Sequence, residues 1–175
     1  MFCKYFQCAA LAALAINPPA ASSHELGAHV HGMATLQVAV DEKTMTLNFS
    51  SPLDNLLGFE HVARNQMEKS AVKNMADDLN KAEQFFIPTA DAQCSLQSVK
   101  LDSIVLDPRR HEEAGGHADL DGEFVFACKQ TSMLHDLEVK LFDAFPHLRQ
   151  LKVEVATLKK QAATTLTTTQ RHASW

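Results

Sequence analysis

The stretch MATLQVAVDEKTMTLNFSSP (residues 33–52) decides the fold, because apolar and polar residues alternate on both sides of a short polar turn. The first strand is expected to begin at Val30, with clear alternation in residues 34–40, and residues 41–43 form the turn. Met45, Leu47 and Phe49 then share one face of the second strand. This pattern predicts a β-hairpin with one face in the core and the other in water.

A helix and several strands are predicted after a short connector with one helical turn around residues 53–57. Asn65 and Glu68 have the spacing of a capping box, and apolar residues then recur every three or four positions until Pro88 ends the helix. These apolar residues are Met67, Ala71, Val72, Met75, Leu79, Ala82 and Phe86. Strands are predicted within residues 94–107, 119–129, 137–142 and 151–158, with a threonine-rich edge strand in residues 162–170. We therefore expect an α+β fold with a mostly antiparallel sheet of about six or seven strands, packed with one main α-helix.

Length and charge narrow the function classes. The chain has 175 residues, enough for a single core, and its formal net charge is −5. This charge leaves no basic face for nucleic acid, and the sequence contains no P-loop. No apolar run is long enough to span a bilayer.

The first 22 residues have the organisation of a secretory signal peptide. Lys4 precedes an apolar stretch at residues 8–16, and small residues follow it. A buried N-terminal helix is the alternative, but Pro18 and Pro19 disfavour it. We expect residues 1–22 to be removed on export and residues 23–175 to form one domain.

Export leaves two cysteines, Cys94 and Cys128, which pair readily in an oxidising compartment. The alternative is that both thiolates bind a metal, which the lack of a CxxC spacing disfavours. A disulfide would join the far ends of two strands and leave the acidic loop at residues 107–121 at the other end.

Histidines in two segments suggest a metal site. His29 and His31 are two residues apart, and on a strand their side chains would share a face. The loop adds His117 and Asp119 at the same spacing, so that two histidines, a third histidine and a carboxylate could bind zinc tetrahedrally. The alternative is a solvated strand edge and an ordinary charged loop.

A second metal site depends on the cleavage point. If the signal is cut after Ala21, the mature chain begins Ser22-Ser23-His24, whose amine, two amides and imidazole form a square-planar set for Cu²⁺ or Ni²⁺. A cut after Ser22 would remove that set.

Several motifs resemble the ZrgA-like family of exported bacterial zinc-binding proteins, over about residues 29–168. They are HVHGMATLQVAVD, SPLDNLLGFEH, a cysteine strand, an acidic histidine loop, FVFAC and LFDAFPHLRQLKVEV. The resemblance implies a periplasmic protein that binds Zn²⁺ and assists zinc uptake, beside an ABC-type importer.

We therefore predict a zinc-binding protein, not an enzyme. The predicted ligands are His29, His31, His117 and Asp119, with His24 and His111 as auxiliary ligands. Two alternatives remain open. One is an envelope scaffold module that contacts a membrane transporter and binds metal only incidentally, and the other is a zinc-dependent hydrolase.

Overall fold

The computed structural model describes residues 30–107 and 118–175, which form two sheets and three helices. The strands are β1 (Met33–Val40), β2 (Thr44–Pro52), β3 (Phe86–Pro88), β4 (Cys94–Ser103), β5 (Asp119–Cys128), β6 (Asp136–Val139), β7 (Gln150–Thr157), β8 (Gln161–Thr167) and β9 (His172–Ser174). The helices are α1 (Leu53–Leu57), α2 (Gln66–Leu79) and α3 (Leu141–Ala144). The predicted α+β class, with a mostly antiparallel sheet and one long helix, is confirmed.

The main sheet has six strands in the order β4-β5-β2-β1-β7-β8, and the smaller sheet has the order β3-β6-β9. Within the main sheet, β1 and β7 are parallel, with Met33 opposite Gln150, and the other neighbouring strands are antiparallel. One end of the sheet therefore contains the beginnings of β1, β7 and β5 and the end of β2. We call this end, where the strands start or stop, the loop edge.

The core lies between the inner faces of the two sheets and one face of α2. The inward residues of the predicted hairpin, Leu36, Val38, Met45, Leu47 and Phe49, are all buried. Phe86 of the small sheet packs against Phe124 of the main sheet, with ring centroids 5.1 Å apart. On the opposite face of β1, positions such as Gln37 are exposed, as alternation predicts.

The predicted N-cap of α2 at Asn65 is confirmed, and the reciprocal contact of Glu68 is made one residue earlier than in a standard capping box. The Asn65 side chain accepts a hydrogen bond from the Glu68 backbone N–H at 2.9 Å. Glu68 reaches back and accepts from the Arg64 backbone N–H at 2.6 Å. This backbone hydrogen bond is the main cause that lowers the pKa of Glu68. The first bond satisfies an N–H group that the first helical turn leaves without an intrahelical partner, and the second holds the backbone just before the N-cap.

The predicted end of this helix is wrong. The helix ends at Leu79, where the Asn80 side chain donates to the Ala76 carbonyl at 2.7 Å. A 3-10 turn over Ala82–Gln84 follows, and Phe86 begins β3, where it pairs with Val139. Ala82 and Phe86 are buried as expected. Cross-strand hydrogen bonds, which helical periodicity cannot reveal, decide the conformation of this segment.

Two C-terminal segments also differ from the expectation. The strand predicted over residues 137–142 stops at Val139, and Leu141 begins α3. His172 lies in β9, a strand that the sequence did not predict, and pairs with Glu138 of β6. Leu141 is buried and His172 is exposed, as their polarity requires. The pairing partner, however, determines the local structure.

The predicted disulfide is confirmed. Cys94 and Cys128 are direct cross-strand partners, and their sulfurs are bonded. At the other end of the same strand pair, Ser103 lies opposite Leu120, and the acidic loop leaves and re-enters the sheet there. The disulfide therefore lies at the opposite end of the sheet from the loop edge. In the described ranges, no helix is long and apolar enough to cross a membrane.

Removal of the disulfide should destabilise the fold without changing it. The bridge closes a loop with a sequence separation of 34 residues. On the chain-entropy model such a loop corresponds to about 3–4 kcal/mol in the free energy of unfolding. We expect the free energy of unfolding of the Cys94→Ser/Cys128→Ser variant to be lower by this amount. Its unfolding midpoint in urea should therefore be lower too. An unchanged midpoint under oxidising conditions would contradict the prediction.

An ion pair between β6 and β9 should be visible in a pH titration. His172 Nδ1 lies 2.8 Å from Asp136 Oδ2, and this hydrogen bond raises the pKa of His172 above its ordinary value of 6.5. A raised folded-state pKa stabilises the fold at acidic pH, and the contribution is lost as pH rises through that pKa. We expect NMR titration of His172 to shift to lower pH in Asp136→Asn. Identical titration curves for both proteins would refute this.

Candidate metal centre

His31 lies in a β-turn rather than on a strand. The Met33 N–H donates to the Val30 carbonyl at 3.0 Å, and Gly32 has φ +85°. A positive φ at the third residue is typical of a type II turn and favours glycine. The expectation that the strand begins at Val30 is therefore wrong, because β1 begins at Met33. His29 lies outside the described residues, so the shared-face geometry of the histidine pair stays a prediction.

A buried asparagine holds this turn. Asn55 of α1 is 1% exposed, and its side-chain oxygen accepts from the Gly32 N–H at 2.6 Å. Its amide group donates to the Met33 carbonyl at 2.9 Å and to the Ser51 hydroxyl at 3.1 Å. One side chain thus satisfies backbone groups of the turn that would otherwise be buried without partners.

The beginning of β7 holds the turn from the other side. The Gly32 carbonyl accepts from the Arg149 and Gln150 N–H groups at 2.8 and 2.9 Å. Just before them, the His147 ring lies against Gly58, 3.3 Å from where a β-carbon of residue 58 would be. The segments that carry the motifs NLLGFEH and FDAFPHL therefore meet beside His31.

Two carboxylates face the His31 ring. Its Nε2 lies 3.2 Å from Glu60 Oε1, and its Nδ1 lies 3.8 Å from Asp54 Oδ2. The ring is therefore flanked on both nitrogens, one by each carboxylate. A carboxylate at one nitrogen favours the proton there and leaves the other nitrogen free to bind a metal.

The path of the chain after α1 brings Glu60 to this position. Gly58 caps the helix in the left-handed conformation with φ +76°, and its N–H donates to the Asp54 carbonyl at 2.9 Å. A side chain at residue 58 would be strained by this φ and would press on the His147 ring. This glycine therefore turns the chain so that Glu60 approaches His31 while Asp54 stays in the first turn of the helix.

The acidic loop returns to the sheet at the same edge. The Leu53 N–H at the beginning of α1 donates to the Ala118 carbonyl at 2.8 Å. Asp119, the predicted ligand, follows directly, lies opposite Pro52 of β2, and its carbonyl accepts from the Ser103 hydroxyl at 2.6 Å. The residue before Ala118 in the sequence is His117.

Of the predicted ligands, the structure describes only His31 and Asp119, and both lie at the loop edge. β2 separates their strands, which corresponds to about 10 Å between β1 and β5. His24, His29, His111 and His117 lie outside the described residues. Within residues 30–107 and 118–175, no group of three or more His, Cys, Asp or Glu side chains could hold a metal ion.

Sequence reasoning missed Asp54, Asn55 and Glu60. The motif LDNLLGFEH contains all three, but the chain pattern gives no reason to bring these side chains to a turn more than 20 residues away. Two other histidines make local contacts. His61 stacks on Phe59 with centroids 5.0 Å apart, and His135 lies 2.7 Å from the Met133 carbonyl.

The fold thus places a histidine and two carboxylates together at the loop edge, where the chain enters β5. Residues 28–175 match the sequence model of a protein family described as ZrgA family zinc uptake protein. The chain therefore belongs to this family. The match includes all nine strands and every residue of the loop edge. A comparison with curated proteins finds no match.

Replacement of Asn55 should destabilise the protein more than replacement of an exposed asparagine. Asn55→Ala removes the partner of the buried Gly32 N–H, at about 1–3 kcal/mol, and that of the part-buried Met33 carbonyl. The matched control is Asn74→Ala, at an exposed position of α2. We expect urea unfolding to show a large loss for Asn55→Ala and little change for Asn74→Ala. Equal midpoints for the two variants would contradict the assigned role.

Proposed function

We propose that the protein captures Zn²⁺ in the periplasm and holds it for uptake by the cell. Membership of a zinc uptake family supports zinc as the ion, and the observation that carries the site is the approach of Glu60 to His31 Nε2. In this proposal the protein acts by binding and release, and catalyses no reaction.

The distance between these two side chains suits zinc. With Zn–N and Zn–O bonds of about 2.0–2.1 Å, neighbouring ligand atoms of a tetrahedral site are about 3.3 Å apart. His31 Nε2 and Glu60 Oε1 are 3.2 Å apart, close to this separation. We propose that Nε2 and Glu60 bind the ion and that Asp54, on the Nδ1 side, orients the imidazole.

The remaining ligands in this proposal come from the segments that flank the described residues. His29 precedes the turn by one residue, and His117 precedes Ala118, which is hydrogen-bonded to α1 beside Asp54. Asp119 completes or supports the set from β5. His24 and His111 add weaker ligands, and the Cu²⁺ or Ni²⁺ site at a mature N-terminus that begins at Ser22 stays a separate prediction.

The exposure of the site favours exchange over catalysis. The His31 side chain is 63% exposed, and Glu60 is 37% exposed, so that an ion bound there remains in contact with water. Enzymes instead exclude water from the reacting groups. An exposed site at the end of a sheet can take up an ion and present it to an acceptor. An ABC-type zinc importer is the acceptor we propose.

Zinc affinity should depend on His31 and Glu60 but not on a comparable histidine elsewhere. We expect His31→Ala and the His29→Ala/His31→Ala double variant to lose most zinc binding in titration calorimetry. Glu60→Gln should weaken binding strongly, and Asp54→Asn should weaken it by about 10–100-fold. The matched control is His172→Ala, because His172 is 59% exposed and also contacts a carboxylate.

Two further measurements make this experiment decisive. Zinc binds neutral imidazole, so affinity should fall at acidic pH, where protons compete with the ion for the ligand nitrogens. Elemental analysis of protein purified without a histidine tag should show bound zinc, which a chelator removes. Full-affinity binding by the double variant, or an equal loss in His172→Ala, would overturn the proposed site.

A further inference from the structure

The outer edge of β8 is an unprotected edge of the main sheet. β8 is the last strand in the order, and within the described chain no strand pairs with its outer side. Its sequence, QAATTLT, contains no charged residue and no proline. Charges and prolines are devices by which proteins prevent an edge strand from pairing with another chain.

The opposite edge of the same sheet has such devices. β4 contains a bulge between Leu96 and Ser98, and it carries the charged residues Lys100 and Asp102. Cys94 at its beginning is tied to β5 by the disulfide. A bulge twists the edge and breaks the regular spacing that another strand would need. The contrast indicates that β4 is built to stay unpaired, whereas β8 is not.

The register of β8 shows which backbone groups face outward. The Thr157 N–H donates to the Lys160 carbonyl at 2.8 Å, so Lys160 is in a hydrogen-bonded pair with β7. Such pairs alternate along an antiparallel ladder, which turns the N–H and C=O groups of Gln161, Ala163 and Thr165 outward. The next outward group, the Thr167 N–H, donates to the Gln170 carbonyl at 2.9 Å, in agreement with this alternation.

We propose that the β8 edge pairs with the β8 edge of a second copy of this chain, antiparallel and about a twofold axis through Ala163. In this register Ala163 lies opposite Ala163 of the other copy, and Gln161 lies opposite Thr165. These three outward pairs form two hydrogen bonds each. The interface is isologous, as closed dimers require, and it joins two six-stranded sheets into one continuous sheet.

The side chains of β8 fit this arrangement. Ala163, at the axis, is small and exposed, and the flanking Gln161 and Thr165 are exposed polar residues that can hydrogen-bond across the interface. Lys159 and Lys160 fall opposite Thr167 and Leu166 of the other copy, so that no lysines face each other. The neighbouring charges on β7, Lys152 and Glu154, already pair at 2.8 Å. Two copies of a chain with net charge −5 therefore meet along an uncharged strip.

The mass of the purified protein should depend on its concentration. In sedimentation experiments with a chelator present, which excludes zinc bridges, we expect the mass to rise from monomer towards dimer over roughly a hundredfold concentration range. Ala163→Lys should return the protein to monomer, because two lysines would face each other at the axis. The matched control is Ala39→Lys, at an exposed position of β1 in the middle of the sheet. A protein that stays monomeric throughout, or a dimer that survives Ala163→Lys, would overturn the proposal.

Hydrogen exchange tests the register without any substitution. We expect exchange of the Gln161, Ala163 and Thr165 amides to slow as concentration rises, while the Ala162 and Thr164 amides, which face β7, do not change. Exchange that is independent of concentration would overturn the proposal, as would slowing at amides away from β8.

Discussion

The buried hydrogen bonds of Asn55 are the constraint on which the candidate site depends. This side chain joins the beginning of β1, the end of β2 and the first helix, by contacts with Gly32, Met33 and Ser51. A buried amide can be tolerated only if its polar atoms find partners, and here the partners are backbone groups of the turn that carries His31. Without Asn55, the turn would have to expose these groups or leave them unsatisfied.

Once the turn is held, a strand pairing and a helix cap complete the geometry of the site. The parallel pairing of β1 with β7 brings the Arg149 and Gln150 N–H groups to the Gly32 carbonyl. The left-handed cap at Gly58 reverses the chain after α1, and Glu60 then approaches His31. The site is therefore assembled from three separate segments at one edge of the sheet. The opposite end is closed by the disulfide, which keeps the two strands that flank the acidic loop in register.

The predictions from sequence were accurate where one short-range rule acts alone. Alternation identified the hairpin and its buried face, and the capping box at Asn65 marked the beginning of α2. The cysteine count identified the disulfide. The predictions from sequence failed where two rules compete. Helical periodicity continues to Phe86, but pairing of Phe86 with Val139 makes that residue part of a strand. The sequence predicts a strand at Val30 and His31. The positive φ of Gly32 and its hydrogen bond to Asn55 stabilise a turn there instead.

The sequence by itself determined the class of fold, the cross-link, the family and the presence of histidine just before the first strand, because periodicity, residue counts and motifs are properties of the chain alone. Only the tertiary structure decided which carboxylates accompany His31. Asp54 and Glu60 lie 23 and 29 positions further along the chain, and they reach the ring through a buried asparagine and a glycine cap. Their proximity is a long-range contact, and no local rule encodes the distance between two side chains that the fold must first bring together.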